Sequence, residues 1–159
     1  MKEASEKQTD KIDDLIKQMV CEETPVDEVM VADGMVRQGD EVYVKCSVEN
    51  HPFSIFIGKV RISKLMSFVF DGTPSVYLFE DAELGICQDF LVNPSILYKG
   101  WNAFQKDTID SINELIQESK EAEWDSTEVR DQFIGKFRAV LKKVKRSTGK
   151  KIRVLMQYM

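Results

Sequence analysis

The stretch that decides the fold is Glu41-Val42-Tyr43-Val44-Lys45-Cys46-Ser47-Val48. In this stretch Val42, Val44, Cys46 and Val48 alternate with residues that are mostly polar. Successive side chains of a β-strand point to opposite faces, so this alternation predicts a strand with one buried face.

Segments of the same character extend on both sides of this strand, from Val29 to about Leu84. They are rich in Val, Ile, Phe and Tyr, and Gly, Asn, Asp and Pro residues separate them. The pattern predicts four strands, at residues 41–48, 53–62, 65–70 and 75–79, with a weaker one at 29–31. Short strands joined by tight turns predict a small, bent antiparallel sheet or barrel.

The apolar period becomes helical on either side of this region. Residues 12–20 predict a short N-terminal helix. After Pro94, one apolar stripe runs from Trp101 to Ile116 when a break near residues 105–107 is allowed, and a second runs from Val129 to Val144. These stripes predict helices at about 107–118 and 127–145. Asp125 and Glu128 resemble a capping box that starts the second helix near Ser126, and Gly149 is a predicted stop. Residues 152–156 are either a final strand or an extended tail.

The charge of the chain is unevenly distributed. The whole chain has a net charge of −5, but residues 135–159 contain nine basic residues and no acidic one, so residues 1–134 carry −14. We expect the basic C-terminal arm to bind phosphate groups or to act as a nuclear import signal. A plainer alternative is that these cations oppose the dipole of the helix. The phosphate-binding candidates in the arm are Lys142, Lys143, Lys145, Arg146, Lys150 and Lys151.

The composition argues against several classes of protein. A single histidine, His51, and three widely spaced cysteines indicate neither a two-histidine metal site nor a disulfide framework. Glycine-rich nucleotide-binding loops are absent from the sequence, so we expect no cofactor and no metal. The sequence also shows no apolar run long enough to span a membrane and no signal-peptide core, which predicts an intracellular protein without membrane contact.

Five segments of the chain, at residues 38–45, 54–60, 68–73, 76–78 and 99–104, resemble in this order those of the PWWP domain, a family of tudor-like barrels. A Gly-Asp pair before an alternating strand that ends in Lys, as at residues 38–45, is common in SH3-like barrels. Residues 54–60 lie where the family carries its Pro-Trp-Trp-Pro motif, and residues 68–73 resemble its Phe-Phe-Gly-Thr turn. Residues 76–78 with Leu84, and the Lys-Gly-Trp start at residues 99–104, follow at the family's spacing. The signature itself is replaced by Ile55-Phe56-Ile57, and the loop between Val60 and Phe68 is short.

This resemblance covers residues 36–118 and implies an α+β fold, a small bent antiparallel SH3-like β-barrel with C-terminal helices packed on it. It divides the chain into an acidic, helical extension (1–28), the PWWP-like barrel (29–90), a helical part (91–148) and a basic, apolar tail (149–159).

The resemblance also implies a chromatin-associated binding module rather than an enzyme, in the nucleus or alternatively in the cytoplasm. Its partners would be a histone tail or nucleosome, DNA through the basic arm, and a larger protein complex. By position, the walls of a methyl-lysine cage fall on Cys46, Phe56 and Phe70, where ring faces would attract a methylated ammonium group. The residues implied to contact nucleosomal DNA are Lys45, Lys59, Arg61 and Lys64. Alternatively, Phe56 and Phe70 belong to the core, and the lysines are ordinary surface residues.

Two other classes remain open from the sequence. The first is a protein interaction module that docks to a partner through the amphipathic helices at 107–118 and 127–145. The C-terminal half of the chain also resembles the closing helix–helix–strand portion of ribonuclease J, around residues 93–101 and 129–131, although the metal-binding histidine motifs of that enzyme are missing.

The second open class is an enzyme that uses loop carboxylates such as Asp71, Glu80, Asp81 and Glu83. Carboxylates of this kind are more often solvated turn residues.

Overall fold

A computed structural model describes residues 11–13, 15, 22–47, 54–79 and 90–158. Residues 11–13 and 15 are helical, and residues 12, 13 and 15 fall in the range 12–20 predicted as a helix; the other positions of that range lie outside the described residues. The fold is mixed α+β with antiparallel sheets, as predicted. Among the described residues, no helix has both the length and the apolar character needed to cross a membrane.

The strands are numbered in chain order and flank two long helices. They are β1 (Glu23–Pro25), β2 (Val29–Val31), β3 (Gly34–Val36), β4 (Glu41–Ser47), β5 (Ser54–Phe68), β6 (Pro74–Phe79), β7 (Phe90–Val92) and β8 (Arg153–Gln157). A 3-10 turn (Pro94–Ile96) precedes helix α1 (Trp101–Glu121), which is followed by helix α2 (Thr127–Arg146).

Strand β5 organises the main sheet. Its first part pairs with β4 and β8, and its second part pairs with β1 and β6. The sequence predicted two strands here, separated at residues 63–64, and this prediction was wrong. A register shift between Ile62 and Lys64 accommodates Ser63 while the strand continues, as a β-bulge does.

The sheet has six strands and is open over the described pairings. Its hydrogen-bonded order is β1-β5-β6-β7, with β4 and β8 also on β5, and β2 and β3 form a separate hairpin. The predicted antiparallel pairing is confirmed, whereas no pairing closes the sheet into a barrel among the described residues.

Both faces of the sheet are covered. Val42, Val44 and Phe56 lie in one core cluster with the β2–β3 hairpin, whereas Tyr43 and Ile57 lie in a second cluster with the two helices. The sequence predicted one buried face for β4. The second face is buried because the helices lie on it, and that is a contact between segments distant in sequence.

The two helices differ from the predictions in different ways, α1 in its continuity and α2 in its cap. Helix α1 runs without the predicted break, because Gln105 and Asp107 find partners outside the helix while the backbone stays helical. Helix α2 is capped by Ser126, whose hydroxyl accepts a hydrogen bond from the Val129 N–H. The cap is therefore one residue later than Asp125, the residue that the predicted capping box required.

The segment after α2 is part of the sheet. Residues 153–157 form β8, which pairs with Ser54–Gly58 of β5, so the alternative of a final strand holds for these residues. The basic residues at 142–146 consequently lie in the last turns of α2, and Lys150 and Lys151 lie between α2 and β8, so none of them is on a free arm.

Candidate functional site

Basic side chains gather where α2 ends and β8 begins. We call the following set the basic surface: Lys142, Lys143, Lys145, Arg146, Lys150, Lys151 and Arg153. All seven residues are exposed. Within the described part of the chain, none of them forms an ion pair.

The helical period of α2 separates these cations from the core. Val140 and Val144 are buried, whereas Lys142, Lys145 and Arg146 project from another side of the helix. Residues three and four apart are neighbours on a helix surface, so these three cations form one stripe. Cations in the last turn also interact favourably with the helix dipole, which lowers the cost of placing them together.

The loop between α2 and β8 is held at Gly149. This residue has a φ of +85°, and a side chain there would lie 2.5 Å from the Trp101 ring. Its N–H donates to the Ser147 hydroxyl, and its carbonyl accepts from the Tyr43 hydroxyl at 3.1 Å. With Gly149 and Ile152 buried, the intervening Lys150 and Lys151 are held out in solvent.

The end of α2 is also tied to the start of α1. The side-chain amide of Gln105 donates to the carbonyl of Val144 at 3.0 Å and to that of Lys145 at 3.4 Å. These carbonyls are in the last turn of α2, where no further helical N–H is available to them. The backbone that carries the basic surface is therefore fixed by α1 and β4, and we expect its charges to keep a defined arrangement.

The lysines that the resemblance implied on the sheet have partners in this structure. Lys45 contacts Asp107 and Ser111, at 3.2 and 2.9 Å. Lys59 pairs with Glu41 at 2.8 Å. The Lys64 ammonium lies 4.5 Å from the centroid of the Tyr77 ring, and Arg61 is exposed. Lys45, Lys59 and Lys64 are therefore less available to a ligand than the cations of the basic surface.

The three residues predicted as cage walls differ in their environments. Phe56 is 1% exposed and belongs to the core, next to Cys46 across the β4–β5 pair. Phe70 is 61% exposed and lies in the turn after the other end of β5. The methyl-lysine cage stays a prediction. The burial of the Phe56 ring favours the alternative, in which Phe56 belongs to the core.

Cys46 borders a cavity between the sheet and the helices. The cavity measures about 340 Å³, and neither Phe56 nor Phe70 lines it. Burial raises the pKa of the Cys46 thiol to about 11, so this group is protonated at neutral pH and is a poor nucleophile. The residues that line this cavity are Lys45, Cys46, Ser47, Ile55, Leu115, Phe133, Phe137 and Tyr158.

A second cavity lies beside the start of α2 and was missed from the sequence. It measures about 270 Å³ and is lined by Trp124, Val129, Gln132, Phe133, Lys136 and Tyr158. The Phe133 ring contacts those of Trp124 and Tyr158, with centroids 5.3 and 5.9 Å apart. Phe133 lies in the apolar stripe of the helix predicted at 127–145, but Trp124 and Tyr158 belong to no periodic pattern, so the convergence of these rings depends on tertiary structure.

Within the described ranges, no cluster of three or more His, Cys, Asp or Glu residues is arranged to hold a metal ion. No protein-family model, curated protein or solved structure matches this chain.

Proposed function

We propose that this chain is a nucleic-acid-binding module that contacts phosphate groups through the basic surface, in the manner of a chromatin-associated domain. The observation that carries the proposal is a set of seven exposed cations without ion pairs among the described residues, on backbone fixed by Tyr43 and Gln105. Cations of this kind release counterions from nucleic acid, which is a major source of affinity.

The charge of the rest of the chain supports an oriented contact. Residues 1–134 carry −14, so phosphate groups are repelled from the body and attracted to one end. The acidic body is also suited to a basic partner such as a histone tail. A nucleosome presents both DNA and basic tails, and we include it, a nuclear location and membership of a larger complex in the proposal.

The finer fold assignment, a PWWP-like bent barrel, belongs to the same proposal. Its support is the length of β5, its bulge at Ser63, and an apolar cluster enclosed between the sheet and the β2–β3 hairpin. Recognition of methyl-lysine by Cys46, Phe56 and Phe70 has less support, because the Phe56 ring is covered. Docking through the helix stripes also has less support, because α1 and α2 bury them in a shared cluster.

The test is the salt dependence of binding to a 20-base-pair DNA duplex, measured by fluorescence anisotropy. We expect the affinity to fall steeply with salt, and the triple variant Lys142→Ala, Lys145→Ala, Arg146→Ala to reduce the log–log slope by about three, one for each cation removed from a phosphate group. A control that replaces Lys11, Lys99 and Lys120 by Ala, three exposed lysines outside the basic surface, has the same change in net charge and should retain most of the slope.

Equal slopes for the two triple variants would contradict the proposal, because net charge alone would then explain the binding. Binding to vesicles of anionic lipid with higher affinity than to DNA would also contradict it and would assign the surface to membranes.

A further inference from the structure

An exposed apolar turn follows β5. Val69 and Phe70 are 51% and 61% exposed, although both are large apolar residues. The turn is well ordered by hydrogen bonds: the Gly72 N–H donates to the Phe68 carbonyl at 2.8 Å, and the Val69 N–H donates to the Glu22 carbonyl at 2.9 Å. A ring held out on fixed backbone loses little conformational entropy on binding, which is a property of interface anchors.

The aromatic pocket, defined as the 270 Å³ cavity at the start of α2, is a matching receptor. Its walls include Trp124, Phe133 and Tyr158, and the exposed Val129 lies at its edge. A cavity of roughly 150 Å³ is enough to hold a benzene ring, so this one can accept a phenylalanine side chain. Aromatic rings also gain from tilted or edge-to-face contacts with one another beyond the area they bury.

The charges around the turn and the pocket are complementary. The turn is flanked by two exposed carboxylates, Glu22 and Asp71. Lys136, which is exposed, lines the pocket. Opposite charges at the rim of an apolar contact favour the correct encounter and exclude like-charged partners. One chain therefore has both halves of a contact that it does not make with itself in this structure.

We propose that the turn at Val69 and Phe70 of one copy docks into the aromatic pocket of a second copy of this chain. Because the two surfaces are different, the contact is head to tail rather than two-fold symmetric. This self-association is independent of the nucleic-acid surface, which lies at the other end of α2.

Two variants test the two sides of the contact, the turn and the aromatic pocket, one at a time. Phe70→Ser removes the ring at an exposed position. Val129→Glu places a carboxylate at the pocket edge, and it also completes a capping box with Ser126, so we expect it to preserve or stabilise α2. Met30→Ser, at a residue 62% exposed outside both surfaces, is the matched control.

Sedimentation equilibrium of the parent chain over about 10 µM to 1 mM should show concentration-dependent association, since weak specific contacts lie in this range. Each single variant should weaken it by about thirtyfold or more, the effect of losing an anchor residue, and Met30→Ser should not. An equimolar mixture of the two variants should form a dimer that does not extend further, because one intact turn and one intact pocket remain.

A parent chain that is monomeric throughout this range would overturn the proposal. So would association that survives Phe70→Ser, or a mixture of the two variants that stays monomeric while each remains folded by circular dichroism. The measurement contains no nucleic acid, so its failure leaves the proposed function standing, and the loss of DNA binding leaves this result unaffected.

Discussion

The Tyr43 hydroxyl in β4 donates a hydrogen bond of 3.1 Å to the carbonyl of Gly149, which lies beyond α2. The Tyr43 ring also contacts Trp101 and Phe104 of α1, with centroids 5.3 and 5.5 Å away. One side chain thus joins the sheet, the first helix and the loop that carries Lys150 and Lys151. The basic surface depends on this contact for its position.

Replacing Tyr43 by Phe should lower the free energy of unfolding by about 1 kcal/mol, because the Gly149 carbonyl loses its partner while the ring contacts remain. Urea denaturation measures the change. Tyr98→Phe is the control, since the Tyr98 hydroxyl forms no hydrogen bond among the described residues while its ring packs on Phe104. Equal losses for the two variants would contradict a specific role of the Tyr43 bond.

Gly149→Ala should cost more, about 2–4 kcal/mol, for two reasons that add. A left-handed φ is unfavourable for alanine, and the new methyl group would overlap the Trp101 ring. Gly39→Ala isolates the first cause, because Gly39 has a φ of +87° and no atom lies within 4 Å of the added carbon. The difference in unfolding free energy between the two variants gives the cost of the overlap with the Trp101 ring. A difference near zero would mean that the loop shifts and relieves this overlap without cost.

Phe56→Ala and Phe70→Ala should differ sharply in their effects on stability. Phe56 is 1% exposed, so its removal leaves a void in the core and costs about 3–5 kcal/mol. Phe70 is 61% exposed, and its removal should change the melting temperature little at concentrations where the chain is monomeric. Thermal unfolding of both variants tests this. A small loss of stability in Phe56→Ala would contradict the assignment of this ring to the core and would favour its role as a pocket wall.

The sequence was informative where local pattern determines structure. The alternation in 42–48, the apolar stripe at 127–145 and the start of α2 near Ser126 all depend on periods or on residues a few positions apart, although Val129 of that stripe is exposed. The break predicted in α1 was wrong because Gln105 and Asp107 are stabilised by α2 and Lys45, which no local window contains.

Only part of the candidate site could be predicted from the sequence, because only part of it follows a local pattern. The cluster of basic residues from Lys142 to Lys151 is visible in the sequence, but the absence of ion pairs among its described neighbours is not. Trp124 and Tyr158 meet at Phe133 only because β8 returns to the sheet beside α2. Contacts between distant segments of this kind leave no periodic signal.

Thr108 offers a test of polar burial. Its side chain is fully buried in α1, and its hydroxyl has no hydrogen-bond partner in the described structure. Thr108→Val keeps the shape and removes the unsatisfied group, so the free energy of unfolding should rise by about 1 kcal/mol. Thr108→Ser keeps the hydroxyl and loses the methyl group, so it should destabilise. Chemical denaturation measures the free energy of unfolding of both variants. If Thr108→Val lowers it, the Thr108 hydroxyl has a hydrogen-bond partner in solution.

Cys46 should react slowly with alkylating agents, because burial raises the pKa of its thiol to about 11. The thiolate is the reactive form, and a free cysteine has a pKa near 8.5, so at pH 8 alkylation by iodoacetamide should be slower by about a hundredfold or more. The measurement needs a Cys21→Ser, Cys87→Ser background, so that only Cys46 reacts, with a free cysteine peptide as the control. The rate should rise about tenfold per pH unit until the pH nears 11.

The same pKa has a consequence for stability. As the pH rises above about 9, the unfolded chain releases the Cys46 proton before the folded chain does, so the contribution of this group to stability falls between pH 9 and about 11. Cys46→Ala should remove this part of the pH dependence. Alkylation at pH 8 as fast as that of the peptide would instead place the thiol in contact with solvent, and the cavity beside it would then be open to reagents.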